Sequence, residues 1–184
     1  MLKRKVFVAA LAVLSFAAVA PVFANPMVGG APMYENKNII ENAVNSKDHT
    51  TLVAAVKAAG LVDTLSGKGP FTVFAPTNAA FAKLPSGTVD TLLKPENKAT
   101  LTKILTCHVV AGNVTSTALV GMIKKDGGVH KVTTVGGCVL TAKMSGKDVT
   151  LTDENGTTAF VTTPDVKQSN GVIHVIDTVL LPKK

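Results

Sequence analysis

The chain has 184 residues, 46% of them hydrophobic, with 19 Lys and Arg against 12 Asp and Glu, a formal net charge of +7. That length suits one ordinary domain with a sizeable core, and the absence of any repeat at a fixed period excludes an array or solenoid. There is no Trp, one Tyr and a single arginine, Arg4, so the planar guanidinium forks that grip phosphates and guanine edges are missing, which argues against specific nucleic-acid recognition.

Lys3, Arg4 and Lys5 open the chain, Val6 to Val19 form an apolar run of fourteen, and Val22-Phe23-Ala24 supplies small residues at the two cleavage positions. Residues 1–24 are therefore expected to be a secretory signal peptide cut after Ala24. A membrane-spanning helix needs about 20 apolar residues, and Pro21 closes this run short of that. The expected mature protein has no transmembrane anchor. Cleavage removes three basic residues and no acidic one, so the net charge falls to +4, carried by sixteen scattered lysines. These are expected to be a solvated surface with, at most, weak and salt-sensitive attraction to acidic cell-surface polymers.

Asn25 to Pro32 is rich in turn formers and lacks periodicity, which predicts a flexible lead-in over residues 25–36 and a folded domain over 37–184. Ile39, Ile40, Ala43 and Val44 share one helical face, and Leu52, Val53, Val56 and Ala59 share a second that Gly60 stops. Phe71 to Ala75 reads as a strand ended by Pro76, after which Thr77 or Asn78 caps a short helix carrying Phe81 and Leu84. A further helix after Pro95 carries Leu101, Ile104 and Leu105, then gives way to Cys107-His-Val-Val110; another lies near Thr117 to Ile123. Val129 to Val135, Cys138 to Met144, Asp148 to Thr152 and Thr157 to Thr162 are short strands separated by Gly136-Gly137, Ser145-Gly146 and Asn155-Gly156, the dipeptides that tight hairpins demand. Asn170-Gly171 launches a last strand. Helices first and strands later predict an α+β fold, not alternating βαβ units.

Three separated segments resemble the signatures of the fasciclin domain family: Phe71-Thr-Val-Phe-Ala-Pro-Thr-Asn-Ala-Ala-Phe81, the pair Cys107-His108 followed by two valines, and Gly171-Val-Ile-His-Val-Ile-Asp-Thr-Val-Leu-Leu-Pro182. They occur in the family's order and spacing from about Asn36 to Pro182. The resemblance implies a compact β wedge of about seven strands with helices along its edge, in a secreted or surface-attached module of adhesion or host contact. One position departs from the family, which usually has Tyr before the motif histidine where this chain has Cys107. Cys107 and Cys138 are the only cysteines, and in an exported chain they are expected to form a disulfide; two buried free thiols are the alternative.

The polar residues inside the apolar blocks raise the question of chemistry. Along the last strand Ile173, Val175, Asp177 and Val179 alternate with Val172, His174, Ile176 and Thr178, so His174 and Asp177 point apart and form no dyad. Asp177 is expected to find donors among Thr77, Asn78 and His108, giving a structural polar knot that fixes the register of the core. His49, His108, His130 and His174 have no metal-ligand spacing, and no phosphate-binding loop or nucleophile elbow is present, so no catalytic residue, metal or cofactor is expected. Cys107 and His108, as sequential neighbours on a strand, would face opposite sides. Asn113-Val-Thr115 and Asn155-Gly-Thr157 fit the glycosylation sequon, which matters only in a eukaryotic host.

The expected function is therefore a non-enzymatic secreted or periplasmic adhesion or interaction module, monomeric, binding a protein or polysaccharide at a cell surface, matrix or envelope. Lys94 to Lys98 and Thr115 to Gly128 are its candidate contact segments. The alternative is a small-ligand or lipid carrier, which needs an apolar pocket between helices and sheet. A hydrolase built on Cys107 or a histidine is a third reading.

Overall fold

The computed structural model describes residues 25–183, so the expected signal peptide lies outside the described residues. The segment expected to be a flexible lead-in is instead packed. It folds as a small antiparallel hairpin of β1 (Met27–Val28) and β2 (Ala31–Pro32), with Val28 and Met33 buried. Asn42, itself fully buried, holds the next residue of this segment: its Oδ1 accepts from the Tyr34 amide and its Nδ2 donates to the Tyr34 carbonyl. Two widely spaced apolar residues show no period, yet a hairpin brings both onto the core.

Helix α1 (Ile39–Ala43) begins in a capping box, in which Asn38 accepts from the Glu41 amide and the Glu41 carboxylate accepts from the Asn38 amide. Helix α2 (Thr50–Ala59) stops where expected, at Gly60, whose φ of 73° suits a residue without Cβ. Then come α3 (Val62–Ser66), β3 (Phe71–Pro76), α4 (Asn78–Ala82), α5 (Thr88–Leu92), α6 (Lys98–Thr106), β4 (Val109–Ala111) and α7 (Ser116–Lys125). The expected cap of α4 is Thr77, whose Oγ1 accepts from the Ala80 amide at 3.2 Å. Helices α3 and α5 do not declare themselves in the sequence because each is five residues with two apolar positions and no side-chain cap, whereas α1 and α4, equally short, begin at the capping residues Asn38 and Thr77.

Five strands complete the chain: β5 (Val129–Thr133), β6 (Val139–Ser145), β7 (Asp148–Thr152), β8 (Thr158–Gln168) and β9 (Gly171–Ile176). Strand β8 runs six residues beyond its expected end at Thr162. Register shifts occur between Val161 and Thr163 and between Thr163 and Val166, the second spanning Pro164, which has no amide to give to the ladder.

The larger sheet has seven strands in the order β4-β3-β9-β8-β7-β6-β5. All neighbours are antiparallel except β3 and β9, which pair in parallel from Phe71 opposite Gly171 to Pro76 opposite Ile176. Chain segments about a hundred residues apart thus meet at the centre of the sheet. Each central strand is buried on both faces, as parallel strands are. Val73, Ala75, Ile173 and Val175 face one apolar cluster, under α1, α2, α4 and α6; Phe74 and Ile176 face another, between α7 and the curled hairpins β5 to β8.

The curl brings the two outer strands together and nearly closes the sheet. The Val135 amide, just past β5, donates to the Val109 carbonyl of β4 at 2.7 Å, and the Gly136 amide donates to the Thr106 carbonyl at 3.0 Å. A Cβ at Gly136 would sit 2.6 Å from Thr106 Oγ1 and 2.9 Å from the Cys107 nitrogen, so only glycine permits this approach. At the same seam Cys107 and Cys138 form a disulfide, with their Cα atoms 5.3 Å apart and both residues buried. The bond is a covalent latch between the two ends of the sheet.

Replacing both cysteines by Ala is expected to lower the free energy of unfolding by about 4 kcal/mol, the loop-closure entropy of a bridge of this span. Urea titration of the two proteins measures it. Alkylation of the exported protein without reductant should leave its intact mass unchanged, and two labelled thiols would contradict the latch.

Candidate functional site

The residues expected to form one polar knot are not together. Asp177 lies just past the end of β9 and faces outward, where its Oδ1 accepts from the Phe160 amide at 2.8 Å and from Thr178 Oγ1, and its Oδ2 pairs with Lys83 at 3.2 Å. Partial burial pushes its carboxyl up, but the Phe160 amide, Lys83 and Thr178 outweigh that and hold it below its ordinary value. Thr77 caps α4. Asn78 ties α4 to the start of α2, accepting from the Thr51 amide at 3.0 Å and donating to the Lys47 carbonyl at 2.8 Å. The single knot is corrected to separate ties, because β9 ends at Ile176 and the alternation that would aim Asp177 inward ends with it.

His108 remains a central tie, with different partners. It is fully enclosed between α6 and the C-terminal tail, its Nδ1 lying 2.8 Å from the Ile104 carbonyl and its Nε2 accepting from the Leu180 amide at 3.0 Å. The backbone amide at Nε2 requires the proton to sit on Nδ1, so the ring is neutral and serves as donor and acceptor at once. Burial lowers its pKa to about 4, against small upward pulls from Ile104 and Asp153. Asp153 holds the adjoining residue: its Oδ2 accepts from the Leu181 amide at 2.8 Å while its Oδ1 accepts from the Asn155 and Thr157 amides.

His174 uses the opposite tautomer. Its Nδ1 accepts from the Asp165 amide at 3.2 Å and its Nε2 donates to the Val114 carbonyl at 2.8 Å. Burial lowers its pKa too. Asp165, at a φ of 56°, in turn accepts from the Ser116 amide and hydroxyl at the start of α7. A serine, a histidine and an aspartate thus stand close, but both imidazole nitrogens are engaged by backbone and the serine hydroxyl donates to the carboxylate. No base is aimed at a nucleophile, so the arrangement positions α7 and lacks the geometry for acyl transfer. Cys107 is bonded to Cys138 and lies beside His108 without forming a thiol and base pair.

Between the hairpin, α1 to α3 and the sheet lies an apolar cavity of about 40 Å³, bordered by Met33, Ile39, Val56 and Ile173 among others. His49 also borders it, with Nδ1 2.8 Å from Ser46 Oγ and Nε2 buried without a hydrogen bond; burial lowers its pKa. Pockets for small molecules typically enclose about 300–1,000 Å³, so this closed core counts against the carrier reading. Among the candidate contact segments, Pro95–Asn97 is an exposed turn, whereas Ser116–Lys125 is α7, whose Leu119 and Ile123 are committed to the core.

Two residues with the widest reach carry no sign of it in the sequence, where Asn170 signals only a turn and Asp153 nothing. Asn170 binds the Ile39 amide through Oδ1 and the Leu65 and Gly67 carbonyls through Nδ2, joining the β8–β9 turn to α1 and the loop before β3. Asp153 gathers a turn and the tail. The dipeptide Asn170-Gly171 signals a turn locally, but nothing local reveals partners a hundred residues away.

A family model described as the fasciclin domain matches residues 47–182. Protein sll1483 of Synechocystis is 50% identical, over 78% of this chain and 73% of its own. The immunogenic protein MPB70 of Mycobacterium bovis is 34% identical, over 95% of this chain and 92% of its own. The cell surface glycolipoprotein MPB83 of the same species is 37% identical, over 76% of this chain and 58% of its own. Among solved structures, a FAS1 domain pair from the insect cell adhesion molecule fasciclin I superposes with a TM-score of 0.69 at 22% identity, covering 79% of this chain and 51% of that one.

The buried histidines set a pH dependence. The folded pKa of His108 lies below the ordinary 6.5, so the unfolded chain binds more protons and stability falls as pH drops from about 6.5 to about 4. That gap corresponds to about 3 kcal/mol from His108, and His49 and His174 add to it with the same sign. Chemical denaturation at pH 7 and pH 4 should show the loss. In His108→Gln the protein should start less stable at pH 7 and lose less on acidification; an unchanged slope would remove His108 from the account. Asp177→Ala, by contrast, removes a partly exposed tie to the Phe160 amide and should cost about 1 kcal/mol at pH 7.

Proposed function

The chain belongs to the fasciclin domain family, and on that premise we propose that it is a non-catalytic adhesion or interaction module. It acts outside the cytoplasm as a monomer and binds a protein or polysaccharide on a cell surface, matrix or envelope. The observation that carries this reading is the fate of the polar groups in the three signature segments. His108, His174, Thr77 and Asn78 hold backbone in place, Asp177 joins the Phe160 amide to Lys83, and none is arranged to move a proton or attack a bond. These segments thus supply no catalytic arrangement, which supports a reading in which recognition falls to the exposed turns around a rigid frame.

Location outside the cytoplasm is supported by the charged and apolar leader and by the disulfide, which persists in oxidising compartments. A relative at 37% identity is described as a cell surface glycolipoprotein. No helix among the described residues is long and apolar enough to cross a membrane, so attachment in this reading comes through the partner.

Labelled mature protein should bind isolated cell envelopes saturably, be displaced by unlabelled protein, and bind more weakly as salt rises. Uptake that never saturates, or that equals the uptake of an unrelated protein of the same net charge, would refute the adhesion reading.

A further inference from the structure

An open cleft of about 540 Å³ lies at the end of the sheet where β3 and β9 begin, between the loop Ser66 to Pro70, the β8–β9 turn and Asn113. Its size falls within the usual range for ligand sites, about 300–1,000 Å³. The backbone around it is fixed. Asn170 fastens the loop through the Leu65 and Gly67 carbonyls, the Phe71 amide donates to the Asn170 carbonyl at 3.0 Å, and the Gly112 amide donates to the Pro70 carbonyl at 2.9 Å. Side chains at Gly69 or Gly171 would collide with the backbone of Asn170 and Phe71 respectively, so these strands approach as closely as glycine allows.

Against that frame, Ser66, Lys68, Asn113 and Ser169 border the cleft, and no side-chain hydrogen bond engages them among the described residues. They contrast with the signature residues, whose polar atoms are engaged by the fold. Lys68 is the one charged residue of the lining, and no carboxylate borders the cleft. The set comprises two hydroxyls, a carboxamide and an ammonium on a rigid wall that loses little entropy on binding. A peptide cannot add here as a strand, because β3 and β9 are paired on both sides.

We propose that this cleft is the polysaccharide-binding site of the module, and that its ligand is an acidic glycan of uronic-acid units. Lys68 takes the carboxylate in a charge-assisted bond, and Asn113, Ser66 and Ser169 take the ring hydroxyls. The inference rests on the adhesion reading above and narrows its partner to one class.

The test titrates the mature protein with a galacturonic-acid oligomer, neutral dextran and polyglutamate, followed by amide NMR at low salt. The expected result is saturable binding of the oligouronate with shifts confined to residues 66–70, 113 and 168–171, at least tenfold tighter than dextran. Lys68→Ala should weaken binding at least fivefold and Asn113→Ala at least threefold; both residues are exposed and should leave the fold intact. Lys147→Ala, in the β6–β7 turn and outside the cleft, should change nothing. Equal loss in Lys147→Ala, shifts elsewhere or no saturation would overturn the site, and tighter binding of polyglutamate would overturn the sugar. Envelope binding separates the two proposals. If Lys68→Ala and Asn113→Ala bind envelopes as the wild type does, the cleft is wrong and adhesion stands. If the oligouronate occupies the cleft but envelopes do not bind, adhesion is wrong and the cleft stands.

Discussion

The parallel pairing of β3 with β9 is the constraint on which the rest depends. It sets two strands, distant in the chain, side by side in the middle of the sheet and buries both faces of each. A strand in that position cannot leave any polar atom to water, so each one within it must find a partner inside the protein. Thr72 shows the consequence: fully buried, it donates to the Gly112 carbonyl at 2.7 Å and accepts from the Val114 amide at 2.8 Å, fastening β3 to the chain that leads into α7. His174 does the same from β9, reaching the Val114 carbonyl and the Asp165 amide. The buried polar residues are therefore the connectors between the central pair and the irregular segments that surround it.

The two ends of the sheet pose a different problem, since an unpaired edge invites association with other chains. Here the curl of the hairpins β5 to β8 carries one edge round to the other, the Val135 amide reaches Val109, and the disulfide holds the closure. The C-terminal tail is secured by the same logic. His108 takes the Leu180 amide, Asp153 takes the Leu181 amide, and Asn155 donates to the Leu181 and Pro182 carbonyls. Closure and tail meet around His108, which follows Cys107 directly and precedes β4. One short segment thus serves the latch, the buried imidazole and the outer strand.

Much of this was legible in the residues and some was not, for identifiable reasons. The helices α2, α6 and α7 and most strands declare themselves because their apolar residues repeat with a clear period, and Gly60 and Thr77 act where local chemistry says they should. The faces of β9 were also readable: Ile173 and Val175 go to one cluster and Ile176 to the other. The alternation failed at Asp177 because periodicity does not reveal where a strand stops. The hairpin over residues 25–36 escaped because Val28 and Met33 are too few to form a pattern, and β8 runs past its expected end at Thr162 through two register shifts that no local alternation announces. Partners such as those of Asn170 and Asp153 are set by tertiary structure alone, and no local rule contains them.

A frame of this kind sets the residues that hold the fold apart from those that stand at its surface. The three segments that mark the family are occupied by their own internal work, so substituting them disturbs folding before it touches any partner. In the proposed reading, recognition falls to side chains that the frame holds still but does not engage. The cleft beside Asn170 meets that description because its rigid backbone is supplied by the central pair while Lys68 and Asn113 stand free at its border. The pairing that engages the polar atoms of the signature strands also gives the neighbouring turns a fixed backbone.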